Sequence, residues 1–243
     1  MAAPVVRRYP TPEATAHDLA TSLVERLVGL QEENGLVELC LTGGTVANLA
    51  YEHLGRQVGA SALVSSRMEL WWTNDGVLPT EDPRRNSLQA LTRLAGALPL
   101  DASRIHPMPS QELSPDVAEA AVTYAHEIEG RTIDICLLTI GADGHVAALF
   151  PGHPAAAPTG SLAVGVTEAP EGPPEQVSLS LTTINRCREV WLIGTGEERA
   201  GAVGRVFHGD PALPASHVQG VERTVWLLDE TAAAEVPFHH CLL

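Results

Sequence analysis

The chain has 243 residues, 44% of them hydrophobic, with 30 acidic against 15 basic side chains and a formal net charge of −15. That is enough apolar surface for one large core, and an acidity unbroken by any run of Lys or Arg excludes nucleic acid and anionic membranes as partners. No apolar run reaches the ~18 residues of a membrane span, and the opening Met1-Ala2-Ala3-Pro4-Val5-Val6-Arg7-Arg8 lacks the apolar stretch of a signal peptide.

The four cysteines, Cys40, Cys136, Cys187 and Cys241, show no C-x-x-C spacing, and two of them fall within apolar runs. They read as reduced thiols of a cytoplasmic protein.

In chain order, residues 5–9 predict a strand, and residues 12–30 a helix with Leu19, Leu23, Leu27 and Leu30 along one face. A strand at 37–42, a helix at 46–57 and a strand at 68–73 follow, then helices at 87–98 and 115–129 and a strand at 133–140. Strands at 162–166 and 177–181 are set off by loops at 155–160 and at 169–176, the second carrying Pro170, Gly172, Pro173 and Pro174. A strand at 190–194, a helix at 197–207 and a strand at 224–228 complete the pattern. Short apolar runs alternating with helical periods predict an α/β fold: a Rossmann-like, mostly parallel sheet flanked by helices, with a small antiparallel excursion. No repeat or long linker divides the chain, so residues 1–243 are taken as one domain.

Three constellations could carry chemistry. In Leu39-Cys40-Leu41-Thr42-Gly43-Gly44-Thr45-Val46 a strand runs through a Gly-Gly turn into a helix, which gathers free backbone N–H groups and the positive end of the helix dipole. The hydroxyls of Thr42 and Thr45 could add donors to an anion there; the alternative is a tight turn with Thr45 as helix cap. In Gly141-Ala142-Asp143-Gly144-His145 a carboxylate and an imidazole lie two residues apart just beyond a strand, where open α/β sheets bind ligands. A short helix starting at His145 would disfavour its protonated form and leave it neutral, able to act as a base. The alternative is that Asp143 caps that helix and His145 closes the turn.

The third is Trp71-Trp72-Thr73-Asn74-Asp75-Gly76 with Arg84, Arg85 and Asn86 beyond it. Alternation puts at least one tryptophan in the core, and Asn74 and Asp75 at the strand's carboxyl end, where they serve either a ligand or an Asx turn. Arg84 and Arg85 read as solvated loop charges or as cations reaching back to that end. His53, His126, His208 and the pair His239-His240 are scattered without a metal-ligand pattern.

The order of these pieces resembles the 6-phosphogluconolactonase family and, more remotely, glucosamine-6-phosphate deaminases. It extends over Leu41-Thr42-Gly43-Gly44-Thr45 with Tyr51, residues 72–86, His106-Pro107, residues 141–152, residues 179–196, Pro214-Ala215-Ser216 and residues 226–234. The longest piece is Gly141-x-Asp143-Gly144-His145 with Leu149-Phe150-Pro151-Gly152 behind it. The resemblance implies hydrolysis of 6-phospho-glucono-1,5-lactone to 6-phosphogluconate, in the oxidative pentose phosphate route, on a fold similar to the deaminase and ribose-phosphate isomerase group.

It implies His145 as base, Asp143 as its support, and no metal or organic cofactor. Thr42, Gly43, Gly44, Thr45 and Arg199 would cradle the phosphate, with Asn74, Asp75 and Arg186 as further substrate contacts. Where that family usually reads Gly-Asp-Glu-Arg, this chain has Thr73-Asn74-Asp75-Gly76. The partner is then a small sugar phosphate and the protein a monomer. Two other readings use the same scaffold: a sugar-phosphate-binding or regulatory protein without turnover, and an amino-sugar-phosphate deaminase.

Overall fold

The computed structural model describes residues 3–59, 61–94 and 98–237. Cys241, His239, His240 and the remainder of 238–243 lie outside the described residues, as do Met1 and Ala2.

Six strands form one parallel sheet: β1 (Val5–Tyr9), β2 (Val37–Leu41), β3 (Met68–Trp72), β5 (Ile135–Thr139), β8 (Glu189–Gly194) and β9 (Arg223–Asp229), in the order β1-β9-β8-β5-β2-β3. Both faces are covered, so the strands are near-continuous apolar runs; all six residues of β8 are buried. Side chains alternate between two core layers. Leu39, Leu41, Trp72, Ile135, Leu137 and Ile193 pack under helices α1 (Pro12–Asn34), α2 (Thr45–Val58) and α3 (Asn86–Leu94). Cys40, Trp71, Cys136, Leu138, Leu192 and Trp226 pack under α4 (Val117–Ile128) and α6 (Ala200–Phe207). Trp71 and Trp72 are both fully buried, one in each layer.

The helices begin where local chemistry satisfies free amides. Thr11 Oγ1 accepts from Ala14 N ahead of Pro12, and Asp116 accepts from the amides of Ala118 and Glu119 at the start of α4. Gly35, at φ 80°, ends α1 with its N–H on Gln31 O.

Several boundaries differ from expectation for local reasons. The strand expected at 177–181 is β7 (Gln176–Leu179), because Ser180 caps a short helix α5 (Leu181–Ile184) by accepting from Thr183 N. The helix expected at 87–98 is Asn86–Leu94; residues 95–97 fall outside the described residues. The first turn expected at 197 is a 3-10 turn, Glu197–Arg199, that leads into α6.

A three-residue strand, β4 (Asn74–Gly76), is too short to show a period in the sequence. It pairs antiparallel with β7, which pairs antiparallel with β6 (Ala163–Val166), in the order β4-β7-β6. Thr73 is the crossing point: its N–H reaches Leu41 O in the parallel sheet, and its carbonyl accepts from Leu179 N in the small one. The antiparallel excursion thus stands at the carboxyl edge of β3 and walls one side of the site.

Candidate active site

An open cleft of about 850 Å³ lies across the carboxyl ends of β2, β3, β5 and β8, within the size range of small-molecule sites. Gly43 to Val46, Asn74, Gly76, Ile140, Gly141, His145, Thr195, Gly196, Glu198 and Arg199 line it, and Glu171 to Pro173 of the β6–β7 loop face them.

At the centre is the turn after β5. His145 Nδ1 lies 2.6 Å from Asp143 Oδ1, which also accepts from His145 N at 2.9 Å. One carboxylate oxygen therefore fixes both the backbone and the ring. It selects the tautomer with hydrogen on Nδ1 and leaves the Nε2 lone pair available. The ring leans on Phe150 with 4.6 Å between centroids, and the His145 side chain is only 13% exposed. Gly141 is required because a Cβ there would overlap the imidazole; Gly144 sits at φ 89°, which favours glycine.

No helix begins at His145. Gly141 N–H bonds to His145 O, Ile140 bridges to Val146 and Val146 to Leu149, so the segment is a tight turn followed by bridged turns. The expected helix field on His145 is absent, and Asp143 caps no helix. What orients the imidazole is the Asp143 hydrogen bond.

The Gly-Gly turn after β2 behaves differently at each residue. Gly44, at φ 108°, is the helix cap and Thr45 the first helical residue, with no side-chain cap bond, so the amides of the first turn of α2 open toward the cleft. Gly43 packs against Asn86, whose Oδ1 occupies the space a Cβ would need. Thr42 does not reach the cleft. It is buried, and its N–H and C=O both bond to Tyr51 Oη, which stiffens the turn from behind.

Asp75 likewise points away from the cleft. It is buried and accepts from Gly76 N, Asn86 N, Ser87 N, Ser87 Oγ and the Nε and Nη2 of Arg85. Arg85 is neither a solvated loop charge nor a ligand cation; it is buried against Asp75 and also donates to Met108 O. The pair anchors the start of α3, and Asn86 then reaches Asn74 O with its Nδ2. Asn74 lines the cleft and donates to Gln176 Oε1. Arg84 lines the rim and is hydrogen-bonded to Asp82, whose carboxyl those bonds hold down at about 2.

Arg186 is not brought to this site. It precedes β8 and sits at the sheet's opposite, amino edge, in a small depression with Ile128, Arg131 and Thr183. Arg199, which follows the same strand, is at the carboxyl edge. Its Nε donates to Ile140 O at 2.9 Å, its Nη1 to Thr195 O at 2.8 Å, and Nη1 also meets Glu198 Oε1. Asn86, Gln89, Thr139 and Gln176 also line the cleft, and the sequence offered none of them as a ligand contact. Only Asn86, a polar residue at a helix start beside Arg85, carried any signal.

A doubly covered parallel sheet with a small-molecule cleft at its carboxyl edge, lined by a carboxylate-bonded histidine and an arginine, has the architecture of an α/β enzyme. The profile of the glucosamine-6-phosphate isomerases/6-phosphogluconolactonase family matches residues 10–226, and the chain belongs to that family. It is 36% identical over 239 residues to the 6-phosphogluconolactonase of Streptomyces coelicolor, covering 93% of this chain and 92% of that protein. To the 6-phosphogluconolactonase of Mycobacterium leprae it is 38% identical over 184 residues, 71% of this chain and 74% of that one. The fold matches the crystal structure of the 6-phosphogluconolactonase of Thermotoga maritima with a TM-score of 0.82 at 21% identity, over 93% of this chain and 100% of that one. It also matches a monomeric glucosamine-6-phosphate deaminase with a TM-score of 0.78 at 21% identity, over 95% and 99% of the two chains.

Proposed function

We propose that the protein is a 6-phosphogluconolactonase, hydrolysing 6-phospho-glucono-1,5-lactone to 6-phosphogluconate in the oxidative pentose phosphate pathway. The observation that carries this reading is the Asp143–His145 pair opening into the same cleft as the Arg199 guanidinium. His145 Nε2 takes a proton from water as the water oxygen attacks the lactone carbonyl. The tetrahedral carbon then expels the ring oxygen, which receives that proton from the imidazolium. Asp143 holds the ring in place and stabilises its charged form. The turn amides of Gly43 and Gly44 and the first amide of α2 at Thr45, with Arg199, take the phosphate, and Asn74 meets the sugar from the β4 side.

Thr42, Asp75 and Arg186 have no direct contact in this scheme: the first two support the walls, and the third lies at the far edge. The protein acts as a monomer in the cytoplasm, a setting that suits its free buried thiols Cys40, Cys136 and Cys187.

The test is hydrolysis of freshly generated 6-phospho-gluconolactone, read by coupled oxidation of 6-phosphogluconate and corrected for spontaneous opening. His145→Asn is expected to lower the enzymatic rate roughly 10²- to 10⁴-fold, the usual contribution of a positioned acid–base group. A wild-type trace at background would instead support a sugar-phosphate-binding protein without turnover, and ammonia release from glucosamine 6-phosphate would support a deaminase.

A further inference from the structure

Arg199 is the cation best placed to read a phosphate, yet it is already partly engaged. Two main-chain carbonyls, Ile140 O and Thr195 O, orient its guanidinium and would stay in place with ligand bound. The third partner is a carboxylate, Glu198 Oε1, on the adjoining residue. No hydrogen bond to Nη2 occurs among the described residues, so that edge of the fork remains available. The Glu198 side chain is 61% exposed against 31% for Arg199, so the carboxylate can swing into water at small cost while the arginine stays anchored.

Gly196 makes the folded-back position possible. It sits at φ 92° and a Cβ there would collide with the Glu198 carboxylate. The chain thus provides an anion at the place where the substrate's anion must go, and both residues line the cleft.

We propose that Glu198 is a built-in competitor for Arg199: the substrate phosphate displaces it at a cost in affinity, and anions too weak to displace it do not occupy the cleft. This rests on the reading of Arg199 as a phosphate contact. A phosphate dianion replaces the single carboxylate with more charge and more acceptor oxygens, so it wins the exchange. A singly charged anion gains little from the same trade.

The experiment measures binding of inorganic phosphate to the full chain by calorimetry, together with KM for phosphorylated and unphosphorylated gluconolactone. Glu198→Gln is expected to tighten phosphate about two- to fivefold, the scale of an exposed ion pair, and to lower KM for the phosphorylated lactone by the same factor. KM for the unphosphorylated lactone stays where it was. Glu171→Gln removes an equal charge from the facing rim without touching Arg199, and is expected to give less than half that gain. Equal gains from the two variants, or no gain from Glu198→Gln, overturn the proposal. Arg199→Gln separates the two levels: weaker phosphate binding keeps the phosphate reading standing whatever Glu198 does, whereas unchanged binding removes that reading and the proposal with it.

Discussion

At the residue scale, the site depends as much on what is missing as on what is present. Gly141 has no Cβ, and the His145 imidazole occupies the space one would fill, held there by a 2.6 Å contact with Asp143. Gly141→Ala is therefore expected to push the ring out of the cleft and to lower turnover nearly as far as His145→Asn. Because the ring can escape toward the open cleft, the melting temperature should move by no more than a few degrees. Parallel lactonase assays and thermal melts check both halves. Retained turnover would show that the ring can work from a second position.

The Asp–Gly–His order of this turn was legible in the sequence because it is local: three consecutive residues determine who can bond to whom. Its cause was not. The sequence pointed to a helix field on His145, whereas the bridges of Ile140 to Val146 and Val146 to Leu149 leave no helix there. Those bridges satisfy the backbone in another way, and periodicity over so few residues cannot distinguish the two.

At the element scale, the β3–β4 hop and the start of α3 are one unit. Asp75 and Arg85, with side chains 0% and 3% exposed, join the two segments in the interior. Asp75→Asn leaves a buried guanidinium without its counter-charge and should cost about 3–5 kcal/mol in urea unfolding. A loss below 1 kcal/mol would mean that water or another carboxylate reaches Arg85. This pairing lay beyond the sequence because the partners stand ten residues apart across a turn, and both types are usually solvated.

The amino end of β2 tells the opposite story. Glu38 is half-buried, with Arg131 3.8 Å away and its Oε2 unbonded, and burial pushes its carboxyl above the usual range. Between the unfolded and folded values the native state binds more protons than the unfolded chain, so this group's contribution to stability falls as pH rises through that window. Glu38→Gln should accordingly raise the melting temperature at pH 7, and the gain should vanish toward pH 4. A gain independent of pH would assign it to packing instead of charge.

At the scale of the whole molecule, the two core layers share the parallel sheet, and the antiparallel excursion is tied to it through Thr73. Among the described residues the exposed large apolar side chains, Val64, Leu113, Val122 and Val221, are scattered along the chain, and the acidic surface opposes self-association. Sedimentation is expected to give one species near 25.8 kDa, and urea a single cooperative transition. A dimer, or two separated transitions, would contradict these expectations.

The sequence by itself determined the sheet and its helices, because hydrophobic period and glycine punctuation are local and the strands are too apolar to serve elsewhere. It also determined the turns that carry His145, the Gly-Gly amides and Arg199, since each follows a strand directly and so falls at the carboxyl edge. Tertiary structure alone decided which neighbouring polar residues face the cleft. It sent Thr42 behind the turn to Tyr51, turned Asp75 inward to Arg85, and placed Arg186 at the amino edge, while bringing in Asn86 and Gln176 from separate segments. The reason is that a polar side chain's orientation depends on which partner satisfies it, and those partners are remote in sequence and adjacent only after the sheet closes.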